Sequence, residues 1–508
     1  MQLIYIDRHK GSVTSTMHRN WDFSQRLGLF TRDTSTLLVD GKWGLEKESQ
    51  RVNASGELAM TDHPTAFGHK LINPHITVDF AESQLELITP PFSSVEEAYE
   101  ELNNLQLYAE GELGEELLWP LSMPPKLPAE EGIPVARFGD SEEGREKEVY
   151  RAGLSLRYGK KMQMVSGIHY NFSFGDQMLT YLYSHYGEGK DMRVFTDELY
   201  AAAARNFLRY RWLLIYLFGA SPSIDSTYYS VICQELKIVA CCCPEFCNPI
   251  ANYEKHAVSL RVSRFGYSRA AQGNPMLIFN SLKEYTLSIR KLLSIKHRKF
   301  SRLGTHQDGR KIQLNGNILQ KESEFYSSIR LKQVTEKGET QLDALDQRGV
   351  KYVEVRLIDL NPFLKTGMDL NQLYYLQVFM LYCLMEDSRM VSEGEAHAMN
   401  RNHHLVSLSG RKPNLMLYPY NEHPVLLQEW AEEVFCKLRS IASVMDMADS
   451  NSKYLNSVEQ EYNKVLDPSL LPSARIHEEM EKDRESYLEF GVRWAQVHKS
   501  RRDEICQI

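Results

Sequence analysis

The chain reads as an α+β or mixed α/β fold. Three observations point there: short stretches of period-two alternation are scattered along it, long helical stretches intervene, and no regular βαβ repeat links them. Trp43–Val52 sets bulky Trp43 and Leu45 against Glu46 and Glu48 and reads as a strand; Gln84–Thr89 is a second. Ser94–Gly111 reads as a helix, opening on a Ser94/Glu97 capping-box pattern with apolar residues at Ala98, Leu102, Leu105 and Tyr108. Gln163–Ser173 and Lys351–Ile358 are further strands, and Asp197–Phe218 and Gln372–Met385 further helices. Helical patterning persists beyond residue 420, as in EEMEKDRESYLEFGVRWAQV. The 508 residues contain no Pro, Gly or Ser tract long enough for an interdomain linker and no repeat period, so one interleaved unit is the simplest organisation.

Composition excludes several classes. Asp and Glu number 67 against 59 Lys and Arg, a formal net charge of −8, so no overall basic field gathers phosphate backbones and no nucleic-acid partner is expected. The opening MQLIYIDRHKGSV carries charges where a signal peptide needs an apolar run. The most apolar segments, Trp212–Ala220 and Tyr374–Met385, fall short of the roughly 20 residues that span a bilayer. Eight cysteines are too few for a disulfide framework. A cytoplasmic protein with no membrane partner is expected. Three adjacent cysteines, Cys241–Cys243, with Cys233 and Cys247 nearby, lack zinc-knuckle spacing and read as reduced thiols in a loop. Neither GxxxxGK[ST] nor GxGxxG occurs, which disfavours a P-loop or Rossmann nucleotide site.

The chemistry lies in which residues alternate. Glu46 and Glu48 share a strand face, because i to i+2 advances roughly 6.6 Å with the side chains on one side. In VEVR, Glu354 and Arg356 oppose Val353 and Val355, and in HYNFS, His169 and Asn171 alternate with aromatics. Asp79, Glu82 and Glu86 add carboxylates beside a strand. Taken singly, such strands are usually solvated outer faces. Bulky neighbours at Trp43, Phe80, Tyr170 and Phe172 argue that these are covered. If Glu46, Glu48, Asp79, Glu86 and Glu354 converge, each pair about 4 Å apart repels by about 4 kcal/mol at an effective dielectric near 20, and cations must be present. Shared protons are the alternative, less plausible for five acids. An oxygen-rich set with one imidazole, His169, favours Mg²⁺, or Mn²⁺, over Zn²⁺. Arg151, Arg261 and Arg356 supply planar forks for carboxylate or phosphoryl groups, although each alone is more often a structural ion pair. Metal, carboxylates and arginines in one funnel describe phosphoryl transfer.

The blocks GLEKESQRVN, TVDFAESQLELITP, WPLSMP, YRAGLSLRYG, SGIHYNFS, LFGASP, SLRVSRFGY, ESEFYSSIRLK, VKYVEVRLIDLNPF, GRKPNL and SARI run in order from residue 44 to 476. Together they resemble the proteobacterial type of glutamate–cysteine ligase. The resemblance implies a curved, mainly antiparallel sheet forming a funnel surrounded by helices, related to glutamine synthetase. It also implies ATP-dependent joining of the L-glutamate γ-carboxylate to the L-cysteine amine through γ-glutamyl phosphate. Residues 1–40 match poorly and are read as a variable segment before a single catalytic domain, 41–508. By family position Glu46, Glu48, Asp79, Glu86, His169 and Glu354 resemble Mg²⁺ ligands. Arg356 and Arg151 resemble the groups that hold glutamate and the transferring phosphoryl, with Arg261 near the amino-acid substrates. Phe80, Tyr150, Gln163, Asn171, Tyr267 and Tyr326 resemble a cysteine pocket. A monomer is expected. A γ-glutamyl ligase for another amine and a Mg²⁺-dependent phosphohydrolase or small-molecule kinase are the competing readings, since the acidic funnel would look alike in each.

Overall fold

The structure, a computed structural model, describes residues 22–240, 255–266, 278–449 and 451–505. Its centre is a seven-stranded sheet built from β1 (Gly41–Val52), β2 (Ile76–Val78), β3 (Gln84–Ile88), β4 (Leu117–Leu118), β5 (Ile168–Phe174), β6 (Ile329–Lys332) and β7 (Tyr352–Ile358). The order is β2-β3-β1-β5-β7-β6, with β4 pairing beside β1, and every pairing is antiparallel. The α+β architecture expected from scattered alternation is therefore the one observed.

One face of this sheet is apolar. Leu45, Leu87, Tyr170, Phe172, Val353 and Val355 enter the main core, where full burial of each such side chain contributes roughly 1.5–3 kcal/mol. Helices α1 (Val95–Glu112) and α3 (Met192–Phe218) lie against that face, α4 (Leu370–Met385) packs on both of them, and α5 (Leu427–Asp449) and α6 (Lys453–Leu466) pack on α4. Ser94 accepts from the Glu97 amide as the α1 N-cap, as its pattern predicts. In α3 the buried run Ala201–Ala204 keeps the helix surface flat, and the helix lies against β6 and β7. It begins five residues before the expected Asp197, capped by Asp191. Phe30 and Leu38 also join this core.

One strand boundary needs correction. Residues Lys161–Met164 form a 3₁₀ turn, and β5 starts only at Ile168. Met162, Gln163 and Met164 are buried in succession there, so alternation along the sequence does not report a strand. No described helix is long and apolar enough to cross a membrane.

Candidate active site

The opposite sheet face is polar, and antiparallel register alone assembles it, because residues directly opposite across a ladder share a face. Glu48 stands opposite Glu86, Glu46 opposite His169, Asn171 opposite Glu354, and Glu354 opposite Arg330. Five strands, β1, β3, β5, β6 and β7, thus deliver their charged residues to one surface. His169 Nδ1 lies 2.8 Å from Glu46 Oε2, and the Asn171 amide donates to Glu46 Oε1 at 2.8 Å. The other ring nitrogen, Nε2, lies 3.7 Å from Glu48 Oε1. Arg356 Nη1 donates to Glu354 Oε1 at 2.7 Å and sits 3.5 Å from His169 Nδ1.

The electrostatics follow from this crowding. Burial, then Asp79, Glu46 and Glu48, push the Glu86 carboxyl well above the usual carboxylate range. Burial also raises Glu48, with His169 opposing and Asp79 adding to the rise. Burial penalises Glu46 too, but its hydrogen bond to His169, the charge of that imidazole and Lys332 together outweigh the penalty and hold it below the usual range. For Glu354, burial is overcome by Arg356, Lys332 and Arg330, which keep the carboxyl well below that range. Glu354 is therefore a fixed anion, while Glu48 and Glu86 lack enough positive charge nearby. One ligand atom each from Glu46, Glu86 and His169 lies within 4.8 Å of the others, and Glu354 Oε2 is buried without a hydrogen-bond partner. Oxygen donors with a single imidazole fit a hard divalent cation.

The walls come from helices and loops. Arg151 lies on α2 (Glu142–Tyr158), donates to the Asp79 and Val78 carbonyls, and stacks 4.4 Å above the Phe138 ring. Tyr150, one residue before it, accepts a hydrogen bond from Ser323 at 3.3 Å. The Gln163 amide donates to the Tyr326 hydroxyl at 2.9 Å. Phe80 is buried in a second core cluster. Asn171, grouped with these residues by resemblance, has its amide on Glu46 at the edge of the carboxylates. Arg261 is fully buried, with its guanidinium on the backbone carbonyls of Arg356 and Ile358. Glu82 pairs with Lys70 at 2.7 Å.

A family model described as glutamate-cysteine ligase matches residues 28–406. A glutamate–cysteine ligase of Clostridium acetobutylicum is 51% identical over 480 residues, covering 94% of this chain and 100% of the relative. The chain belongs to the glutamate–cysteine ligase family. The Pseudomonas putida glutamate–cysteine ligase is 41% identical over 455 residues, covering 90% of this chain and 85% of that one. The crystal structure of glutamate–cysteine ligase from Francisella tularensis in complex with AMP superposes with a TM-score of 0.81 at 33% identity, covering 91% of this chain and 89% of the other. The glutamine-synthetase-like sheet expected of a glutamate–cysteine ligase is the sheet described above.

Within this ligase frame two cations went unread in the sequence. Arg330 Nη1 and Lys332 Nζ, on the edge strand β6, lie 3.6 and 3.9 Å from Glu354 Oε2. The signal was the alternation Ile329-Arg330-Leu331-Lys332 inside ESEFYSSIRLK, with both aliphatic residues buried. Tyr267 and the cysteines from Cys241 to Cys247 lie outside the described residues.

Proposed function

We propose that this chain joins the γ-carboxylate of L-glutamate to the amine of L-cysteine with cleavage of ATP to ADP and phosphate. The observation that carries this reading is the register that places Glu46, Glu48, Glu86, His169 and Glu354 on one sheet face. Glu46, Glu86 and His169, with Glu48, Asp79 and Glu354 beside them, would hold Mg²⁺, or Mn²⁺ in its place. The metal would neutralise phosphate charge and polarise the γ-phosphoryl group of ATP.

Around that centre the side chains divide the work. Arg356, held against Glu354, presents the rest of its fork to the incoming anions. Arg151 supports it from α2, and Arg330 and Lys332 extend the positive side of the funnel for the triphosphate. A γ-carboxylate oxygen of glutamate attacks the γ-phosphorus, the bond to ADP breaks, and γ-glutamyl phosphate forms. The cysteine amine then attacks the acyl carbon, the carbon–oxygen bond to phosphate breaks, and the nitrogen loses a proton. Phe80, Tyr150, Gln163, Tyr326 and Tyr267 are assigned to the cysteine side, where aromatic walls suit a small thiol. Residues 41–508 are taken as one catalytic domain acting as a monomer in the cytoplasm, where ATP and reduced cysteine are at hand.

Coupled measurement of ADP release with purified protein, ATP, Mg²⁺ and glutamate tests the assignment. Turnover is expected to require cysteine and to yield γ-glutamylcysteine. Release indifferent to any amine would identify a phosphohydrolase or kinase, and preference for another amine a different γ-glutamyl ligase.

A further inference from the structure

We infer that Arg261 is a positioning residue that fixes a β-bulge beneath Arg356, and that its guanidinium does not bind an amino-acid substrate. This rests on the ligase reading above and refines the role of one residue in it. In the β5–β7 ladder Ile168 pairs with Ile358 but Tyr170 pairs with Val355, so three steps along β7 answer two along β5. The extra residue falls in Arg356–Leu357. Alternation breaks there: Leu357 and Ile358 are both buried in the main core, whereas Arg356 remains on the polar face with Glu354. A bulge disrupts the ladder locally and re-aims a side chain.

Arg261 meets that disruption with a fork. Nη2 donates to the Arg356 carbonyl and Nη1 to the Ile358 carbonyl, each at 3.2 Å, so one planar group brackets the bulge. Asp359 Oδ1 lies 3.5 Å from Nη1, and its Oδ2 accepts from the Ala220 amide at 2.9 Å and the Ser221 hydroxyl at 2.6 Å. The guanidinium is thereby tied to the strand end and to the chain leaving α3, with no exposed surface. Gly167 makes room for it: a Cβ there would lie 1.9 Å from Arg261 Nη2. The same glycine donates its amide to Glu48 Oε2 at 3.1 Å, and its carbonyl accepts from the Glu48 amide at 3.0 Å. Arg261 and Gly167 together set the placement of Arg356 and Glu48 from behind the polar face.

Steady-state kinetics and thermal melting of full-length Arg261→Gln and Arg261→Lys test this, with the wild-type protein in the same assay. Cysteine-dependent ADP release by the wild type carries the ligase reading; failure there is separate from any failure of the variants. A displaced Arg356 is expected to lower kcat in Arg261→Gln by roughly 10- to 100-fold. Arg261→Lys, which reaches one carbonyl, is expected to recover part of that loss. The KM values for glutamate and cysteine should stay within about threefold, as should the preference for cysteine over cysteamine, which lacks the carboxylate. Retained kcat, a tenfold rise in KM for either amino acid, or collapse of the cysteine preference would overturn the proposal. Should neither variant fold, Asp359→Asn keeps Arg261 and loosens its hold: lowered kcat with unchanged KM supports the proposal, and unchanged kcat overturns it.

Discussion

Glu48 and Glu86 stand directly opposite each other across the β1–β3 ladder, two carboxylates where a sheet ordinarily avoids like charge. Asp79 and Glu46 add to the same field, and Glu86 is pushed well above the usual range as a result. The arrangement costs stability in the bare protein, a cost that a divalent cation held by these carboxylates would offset.

That cost is measurable. An acid whose folded pKa is raised favours folding at low pH, and the contribution is lost as pH rises through the raised value. At pH 8 in a chelator, Glu86→Gln is therefore expected to stabilise the protein by about 1–2 kcal/mol. The same substitution should remove most activity with Mg²⁺. A lower melting temperature for this variant in chelator would contradict the repulsion argument.

Glu354 and Arg356 form a pair on the polar face, 2.7 Å apart. Replacing Arg356 by Ala removes the donor aimed at the anions, and Glu354→Gln removes the anion that orients it. Each is expected to lower kcat/KM by at least roughly 100-fold with secondary structure intact. Circular dichroism and the coupled assay check this; turnover near wild type in either would count against the site.

Lys332 touches the carboxylate cluster only at its edge, 3.9 Å from Glu354 Oε2. Lys332→Met is expected to raise the KM for ATP by about tenfold while leaving those for glutamate and cysteine largely unchanged. A rise confined to an amino-acid substrate would place this lysine elsewhere in the reaction.

Behind the sheet, Lys47 points into the helix-covered face and donates to Gln106 at 2.6 Å. Burial, opposed by Glu110, lowers its pKa from 10.5 to about 7. Between those values the unfolded chain holds a proton that the folded chain has released, so stability from this group grows as pH rises through that window. Below about 7 both states are protonated and the contribution is constant. Urea unfolding of the wild type should therefore gain stability from pH 7 to 9 more steeply than Lys47→Met, by up to about 1.4 kcal/mol per pH unit. Parallel pH profiles would show that Lys47 stays charged in the fold.

Much of this was legible locally. The Glu46/Glu48 and Glu354/Arg356 alternations place those residues on one strand face, and the bulky residues between them predict a covered opposite face. Pairing across strands was not legible: that Glu86 meets Glu48, or that Asn171 turns its amide onto Glu46, depends on register set by contacts distant in sequence. Arg330 and Lys332 sit in a four-residue strand whose alternation is too short to stand out. Arg261 reads as a substrate arginine by motif, and only its burial on two carbonyls shows how it is held. The 3₁₀ turn at Lys161–Met164 mimics a strand because burial there is continuous.

The most direct test uses L-glutamate labelled with oxygen-18 in its γ-carboxylate, incubated with ATP, Mg²⁺ and cysteine, and mass analysis of the phosphate released. Transfer through γ-glutamyl phosphate predicts phosphate carrying a labelled oxygen, formed together with γ-glutamylcysteine and absent when Mg²⁺ is chelated. Unlabelled phosphate, or label-free turnover without cysteine, would contradict the account.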